Sequence, residues 1–262
     1  NGTSPGIYIE VKDKHIFILP GPPREFNPLV SDEIIPFLSK NFKTTNKNYG
    51  FFLFFNQAES ALAQEIDNFK PKNLDIAYLA SKGIIKLRYD KNSVDSDDLL
   101  SFENNIRKIL NDYILSTENV PSSRVLLDLL KKYKLKISLV ESVTGGNLSS
   151  ALIYNPGASK TLVASNTLYT KEAKEEFLES DAIDDWKVLT KDLAIASRAK
   201  YSSDVSLAIL GEAGPLPSSE YNIGQIFITI VSDSKTETYE HNLRGSREDI
   251  ILRAVNNAIW DL

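Results

Sequence analysis

At 262 residues, with 42% hydrophobic and 25% charged side chains, the chain is long enough for roughly two domains of ordinary globular composition. Its formal net charge of -5 argues against a broad phosphate-backbone footprint, which gathers Lys and Arg on one face, so nucleic acid is not an expected partner. Zero cysteines exclude disulfides, thiol catalysis and zinc-cysteine sites, and apolar runs such as 51–55 and 226–231 fall far short of the ~20 residues of a bilayer span.

The chain has no methionine and starts Asn1-Gly2-Thr3-Ser4-Pro5-Gly6, which reads as a processed piece or an expressed fragment. That start lacks a cationic segment followed by an apolar one, so a cytoplasmic location is expected. His15 and His241 lie far apart in strand-like runs; with so few ligands no metal site is expected, and no cofactor.

In chain order, residues 7–10 and 15–19 alternate as a β-hairpin turning at Asp13-Lys14. Pro20-Gly21-Pro22-Pro23 reads as a rigid loop before a short helix over 32–39. One hairpin and one helix are too little for a stable domain, so something must cover them. Residues 40–48 are polar and lysine-rich, as in a linker. A buried strand at 51–55, a helix at 59–68, strands at 75–79 and 84–89 and a helix at 97–115 then describe a small α+β module.

Pro121-Ser122-Ser123 marks a break and a helix start, with either serine placed to accept from the first free amides. The expected order from there is a helix to 133, a strand at 136–140, a helix at 145–154 and a strand at 162–168. Helices at 171–178 and 191–201 follow, then a strand at 205–210, a hairpin of 226–231 with 236–241, and a helix at 246–260. Ser246 and Asp249 have capping-box spacing. This is an α/β domain with helices on both sides of a mixed sheet.

Three segments follow directly on expected strands: Glu141-Ser142-Val143-Thr144-Gly145-Gly146, Tyr169-Thr170-Lys171-Glu172-Ala173-Lys174 and Leu210-Gly211-Glu212-Ala213-Gly214-Pro215. Taken singly, each has a plain structural use, as a helix cap, a solvated helical face or a turn. Together they stand where open α/β sheets place their ligands, at the carboxyl ends of strands.

With Pro156-Gly157-Ala158-Ser159 between them, these segments resemble the CinA proteins and their stand-alone deamidase relatives. The patterns of that family are Glu-Ser-Cys-Thr-Gly-Gly, Pro-Gly-Ala/Ser-Ser, Tyr-Ser-Asn-Glu-x-Lys and Gly-Ile-Ala-Gly-Pro. Leu243-Arg244-Gly245-Ser246-Arg247 also resembles the family's ending. Upstream, Gly2-Thr3-Ser4-Pro5-Gly6 and Leu19-Pro20-Gly21-Pro22-Pro23-Arg24-Glu25 look like the tail of a molybdopterin-binding-type domain, and Ala58-Glu59-Ser60-Ala61-Leu62 like part of a KH-like module. The resemblance thus implies three parts: 1–43, a molybdopterin-binding-like remnant; 44–118, a KH-like α+β module; and 119–262, a three-layer α/β deamidase-like domain.

The resemblance implies hydrolysis of the carboxamide of nicotinamide mononucleotide to nicotinic acid mononucleotide and ammonia. Ser142 would be the nucleophile and Lys174 its base, with Tyr169 relaying the proton. Glu141, Thr144, Gly145, Gly146, Gly211, Glu212, Ala213 and Gly214 would bind substrate. The chemistry is coherent, because a serine hydroxyl needs a neighbour to take its proton and a desolvated lysine can do so. Amides around 144–146 would then stabilise the oxyanion. The resemblance also implies a homodimer.

The chain departs from the family at Leu210, where the family has a hydroxyl, and at Glu212, where it has an apolar residue. The family's Asp-Gly-Gly is Leu216-Pro217-Ser218, its Lys-Pro-x-Gly is Tyr221-Asn222-Ile223-Gly224, and a glycine is replaced near Ser165. A carboxylate ~4 Å from a substrate phosphate costs about 4 kcal/mol at an effective dielectric of ~20. Two readings follow: an amidohydrolase whose substrate lacks the phosphate or carries a cation beside the amide, or a catalytically silent relative serving as a ligand-binding or assembly module. Residues 48–116 lack the Gly-x-x-Gly loop with which KH modules clamp RNA, so that segment reads as a spacer or dimer module.

Overall fold

The computed structural model describes residues 5–42, 47–181, 183–217 and 220–262; Gly2, Thr3 and Ser4 of the first motif, 43–46 of the expected linker, and Ser218 lie outside them. The chain divides into two compact units, Asn1–Lys47 and Asn48–Leu262. Among the described residues no helix is long and apolar enough to cross a membrane.

In the first unit, strands β1 (Ile7–Val11) and β2 (Lys14–Ile18) pair antiparallel. They turn one residue earlier than expected, through Lys12 and Asp13, both at positive φ, as the twist of a two-residue hairpin demands. The expected helix over 32–39 is corrected to a helical run that begins at Pro23. It passes through α1 (Pro23–Pro28), a wider-turned stretch Leu29–Ile34 and α2 (Ile35–Asn41). Proline is compatible with a first helical turn, whose amides have no intrahelical acceptor, so Pro23 starts the run that it was expected to exclude. No described residue of this unit is buried, although Tyr8 stacks on Phe17 and Phe37 meets both rings, tilted against Tyr8 and edge-on to Phe17.

The second unit opens with β3 (Tyr49–Phe55), α3 (Glu59–Asp67), β4 (Ile76–Ser81), β5 (Ile84–Asp90), α4 (Ser96–Leu110) and β6 (Ile114–Ser116). The sheet order is β4-β5-β3-β6, antiparallel throughout. Phe52 and Phe54 alternate inward along β3 and meet Leu62, Ile66, Phe102 and Ile106 of the two helices. The expected helix over 97–115 ends early; its last residues form β6, whose Ile114 turns back to pair with Phe54.

The remainder runs α5 (Ser122–Tyr133), β7 (Ile137–Glu141), α6 (Asn147–Ile153), β8 (Leu162–Thr167), α7 (Lys171–Leu178), α8 (Trp186–Tyr201), β9 (Val205–Gly211), β10 (Gln225–Val231), β11 (Thr236–Asn242) and α9 (Arg247–Asp261). The sheet is mixed, in the order β11-β10-β9-β7-β8, with β7 parallel to both β8 and β9. On one face Leu126, Leu148, Leu152, Ile250 and Ala254 pack from α5, α6 and α9. On the other, Leu189, Leu193 and Ala194 of α8 cover Val140, Ala208 and Leu210. Three layers result. Neither Ser122 nor Ser123 caps α5: Ser122 donates to Asn256 Oδ1 at 2.7 Å, and Ser123 accepts from Asn155 at 3.0 Å. Because β7, β8 and β9 are parallel, the three motif segments leave the sheet at the same edge.

Candidate active site

Strand β7 carries its backbone one residue past its end, Ser142 N–H donating to Ile209 C=O at 3.0 Å, and so fixes Ser142 at the sheet edge. The chain then turns sharply. Gly145 N–H donates to Ser142 C=O at 3.1 Å, and Gly145 and Gly146 adopt φ of 58° and 91°, where a side chain is strained.

Beneath that turn Glu141 is fully buried. One carboxylate oxygen accepts from Thr144 Oγ1 at 2.8 Å and from Leu148 N–H at 2.9 Å; the other accepts from Ser149 N–H at 2.8 Å. The carboxylate thereby holds the free amides at the start of α6. Ser165 directs its hydroxyl to the same carboxylate at 3.4 Å.

Thr170 caps α7 by accepting from Ala173 N–H at 3.2 Å. This cap turns Lys174 back on its own helix start, where Nζ donates to the carbonyls of Tyr169 and Thr170, each at 3.2 Å. Lys174 is 8% exposed. Burial lowers its pKa, opposed by the nearby Glu172 carboxylate. Tyr169 stands in the open, and its hydroxyl accepts from Arg247 Nη2 at 3.0 Å. Arg247 reaches it from the first turn of α9 and also donates to Gly214 C=O.

The third segment leaves β9 under tight constraint. A Cβ at Gly211 would lie 2.4 Å from Ile226 Cδ1 and 2.7 Å from Gln225 C=O, so only glycine passes there. Glu212 is pinned on both sides of its backbone, donating to Gln225 C=O at 3.0 Å and accepting from Gly224 N–H at 2.7 Å. Glu212 is 4% exposed, and its carboxylate accepts from Gly214 N–H at 3.0 Å. Leu210, the lost hydroxyl, is buried in the apolar layer under α8.

These elements enclose a cleft of about 260 Å³. Ser142, Tyr169, Lys174, Gly211, Glu212 and Ala213 all line it, whereas Glu141, Thr144, Gly145, Gly146 and Gly214 do not. Glu141 and Thr144 lie under the Ser142 turn, and Gly214 acts through its carbonyl and amide. Ser142 and Lys174 face the cleft with no direct hydrogen bond between them among the described residues.

The cleft also holds residues that the sequence reading left out: Arg247, Lys171, Asp184 and Trp186. Lys171 pairs with Asp184 at 3.3 Å. Trp186 stacks on Tyr221 with ring centroids 4.4 Å apart, and its backbone N–H donates to the Tyr221 hydroxyl at 2.8 Å. Trp186 was missed because α8 was expected to begin at 191. Asp185 is the signal that would have found it, for this N-cap accepts from the amides of Lys187 and Val188 and starts the helix at Trp186. Arg247 was visible in the closing motif, but its reach to Tyr169 needs the fold.

Comparison with known proteins gives a consistent picture. A family model of the CinA C-terminal domain matches residues 120–262. The chain is 30% identical to a CinA-like protein of Endomicrobium trichonymphae, over 98% of this chain and 66% of that protein. It is also 30% identical to a putative competence-damage inducible protein of Thermoanaerobacter pseudethanolicus, over 99% of this chain and 65% of that one. The chain thus spans just under two thirds of the length of these relatives. Among solved structures, a CinA superfamily protein from Enterobacter cloacae aligns with TM-score 0.51 at 24% identity, covering 56% of this chain and 94% of that one. A competence or damage-inducible protein from Enterobacter asburiae aligns with TM-score 0.50 at 23% identity, covering 53% and 92%. These two likenesses bear on the fold of the C-terminal domain.

Proposed function

The chain belongs to the CinA family, with that family's C-terminal domain at residues 120–262, and from this we propose that it is an amidohydrolase of the nicotinamide mononucleotide deamidase type. The observation that carries the proposal is the placement of Lys174. A buried lysine with a lowered pKa lines the same cleft as the strand-end serine. A neutral amine has two N–H donors and one lone pair. With the carbonyls of Tyr169 and Thr170 as acceptors for both donors, the lone pair is left to take a proton.

In the proposed reaction Ser142 Oγ attacks the carboxamide carbon while Lys174 Nζ accepts the hydroxyl proton. The carbonyl π pair moves onto oxygen, and the amide of Val143, on the cleft wall beside the nucleophile, is the donor we assign to that oxyanion. Collapse re-forms the carbonyl and breaks the C–N bond, Lys174 returning its proton to the departing nitrogen as ammonia. Water then attacks the acyl-serine, with Lys174 again taking the proton, and releases the carboxylate and Ser142. Catalytic hydrogen bonds are commonly long in an unliganded site, which fits the absence of a direct contact between Ser142 and Lys174.

The test is ammonia release from nicotinamide mononucleotide and from its riboside, compared with the Ser142→Ala variant. Turnover that disappears in the variant supports the proposal. Folded protein that releases no ammonia from either compound, or a variant as active as the parent, rejects it.

A further inference from the structure

We propose a second binding site, for the phosphate group of a phosphorylated small molecule, in the cavity between the β4–β5 turn, the start of α3 and Arg253 of α9. It uses none of the cleft residues and does not depend on the cleft chemistry.

Asp249, Arg253, Asn256 and Trp260 recur at helical spacing and form one stripe along α9. Three of them have partners in the smaller sheet or its turn. Asp249 pairs with Lys82 Nζ, Asn256 donates to Lys82 C=O at 3.0 Å, and Trp260 stacks on Phe55 at 4.8 Å. Arg253 is the exception. Its Nε is buried with no hydrogen-bond partner, and its guanidinium enters no ion pair, among the described residues. A guanidinium keeps its charge, and its fork of donors matches the oxygens of an anion. Buried polar groups are almost always satisfied, so this one points to an acceptor from outside the chain.

Arg253 borders a cavity of about 520 Å³, within the roughly 300–1,000 Å³ of ligand sites. Lys82 lines it too; an ammonium has three donors, and the contact with Asp249 uses one of them. On the far wall α3 begins at Glu59 with no side-chain cap from Ala58, so its first amides face an acceptor. Two cationic side chains and a helix start suit a phosphate, with its double charge and three acceptor oxygens. A planar carboxylate would be saturated by the guanidinium alone. The cavity exceeds a bare ion, and the side-chain amides of Asn56 and Gln57 at its wall suit a polar body attached to the phosphate. Glu59 is the one carboxylate lining the cavity among the described residues, and it is exposed, so water screens its repulsion of the anion.

The experiment follows backbone amide NMR shifts of the full ¹⁵N-labelled chain during titration with inorganic phosphate, glycerol 3-phosphate and acetate at constant ionic strength. Reading amide by amide separates this site, at 57–59 and 81–83, from any anion held in the cleft, where 142–146 and 211–214 respond. The expected result is saturable shifts at the first set with both phosphates, glycerol 3-phosphate binding at least as tightly as the free ion, and acetate binding more weakly. Arg253→Met is expected to weaken binding at least about tenfold, Lys82→Met to weaken it less, and Glu59→Gln to tighten it. Shifts that do not saturate, acetate binding as well as phosphate, or unchanged affinity in Arg253→Met overturn the inference and leave Arg253 to water. If Arg253→Met does not fold, saturation in the parent and the direction of the Glu59→Gln effect decide.

Discussion

Arg247, on the first turn of the last helix, donates to the hydroxyl of Tyr169 at 3.0 Å across 78 residues of sequence. The same guanidinium reaches Gly214 C=O, so one planar side chain joins the segment after β8 to the loop after β9. Arg247→Ala is expected to lower kcat/KM about 10- to 100-fold, the usual scale for a misplaced site, with an unchanged circular dichroism spectrum. Arg247→Lys is expected to restore little, because a compact ammonium does not reproduce the guanidinium's two-directional fork. Wild-type kinetics in Arg247→Lys would show that charge alone matters there.

Lys174 gives the site a pH dependence of known sign. Burial lowers its folded pKa, so between that value and the ordinary ~10.4 the unfolded chain binds the extra proton. Stability from this group therefore rises with pH across that window, and its contribution is most unfavourable below it. The proposed reaction needs the neutral amine, so kcat/KM is expected to climb through the folded pKa and reach its plateau below the normal lysine range. Lys174→Met should abolish this limb and lower kcat by about 100- to 10,000-fold, yet leave Tm at pH 7 the same or higher. A large fall in Tm would mean that Lys174 holds the fold.

Glu141 makes the opposite case, a motif residue whose work is structural. Its carboxylate satisfies the Leu148 and Ser149 amides and the Thr144 hydroxyl in a fully buried position. Glu141→Ala leaves those donors without an acceptor and is expected to destabilise the domain by roughly 3 kcal/mol, read from denaturant unfolding. Glu141→Gln, which keeps one acceptor oxygen, should lose less. If Glu141→Ala folds with wild-type stability but binds substrate poorly, the residue belongs to the site after all.

The strands and most helices of 49–262 were legible because their apolar periods are clean: Phe52 and Phe54 face one way along β3, and Ser246 with Asp249 forms the expected capping box. The run from Pro23 was not, since proline reads as a breaker unless it occupies a first turn. Nor was β6, which owes its strand state to pairing with β3 and to no pattern of its own. At the site, Ser142, Lys174 and Glu212 were readable as strand-end residues. Motif position alone gave no way to tell a cleft-facing Ser142 from a buried Glu141 beside it, because adjacent residues at a strand end point to opposite sides of the sheet.

Lys82, in the turn between β4 and β5, pairs with Asp249 at 2.5 Å, and its carbonyl accepts from Asn256 at 3.0 Å, so the smaller sheet's turn is fastened along α9. Phe55 stacks on Trp260 of the same helix at 4.8 Å. Asp249 also serves the Ser246 capping box, and Lys82 followed by Ser246 holds its carboxyl well below the usual range. A lowered folded pKa means stabilisation that is present above the unfolded value of ~3.9 and lost as pH falls below it. Asp249→Asn is therefore expected to lower the thermal midpoint at pH 7, with the gap to the parent shrinking as the pH is taken below about 3. Lys82→Met should remove part of the same gap and leave the capping box in place. Because Arg247 lies two residues from Asp249, Lys82→Met is also expected to raise KM in the ammonia-release assay before it affects kcat. An unchanged KM beside a lowered midpoint would confine the Lys82 contact to holding the two sheets together.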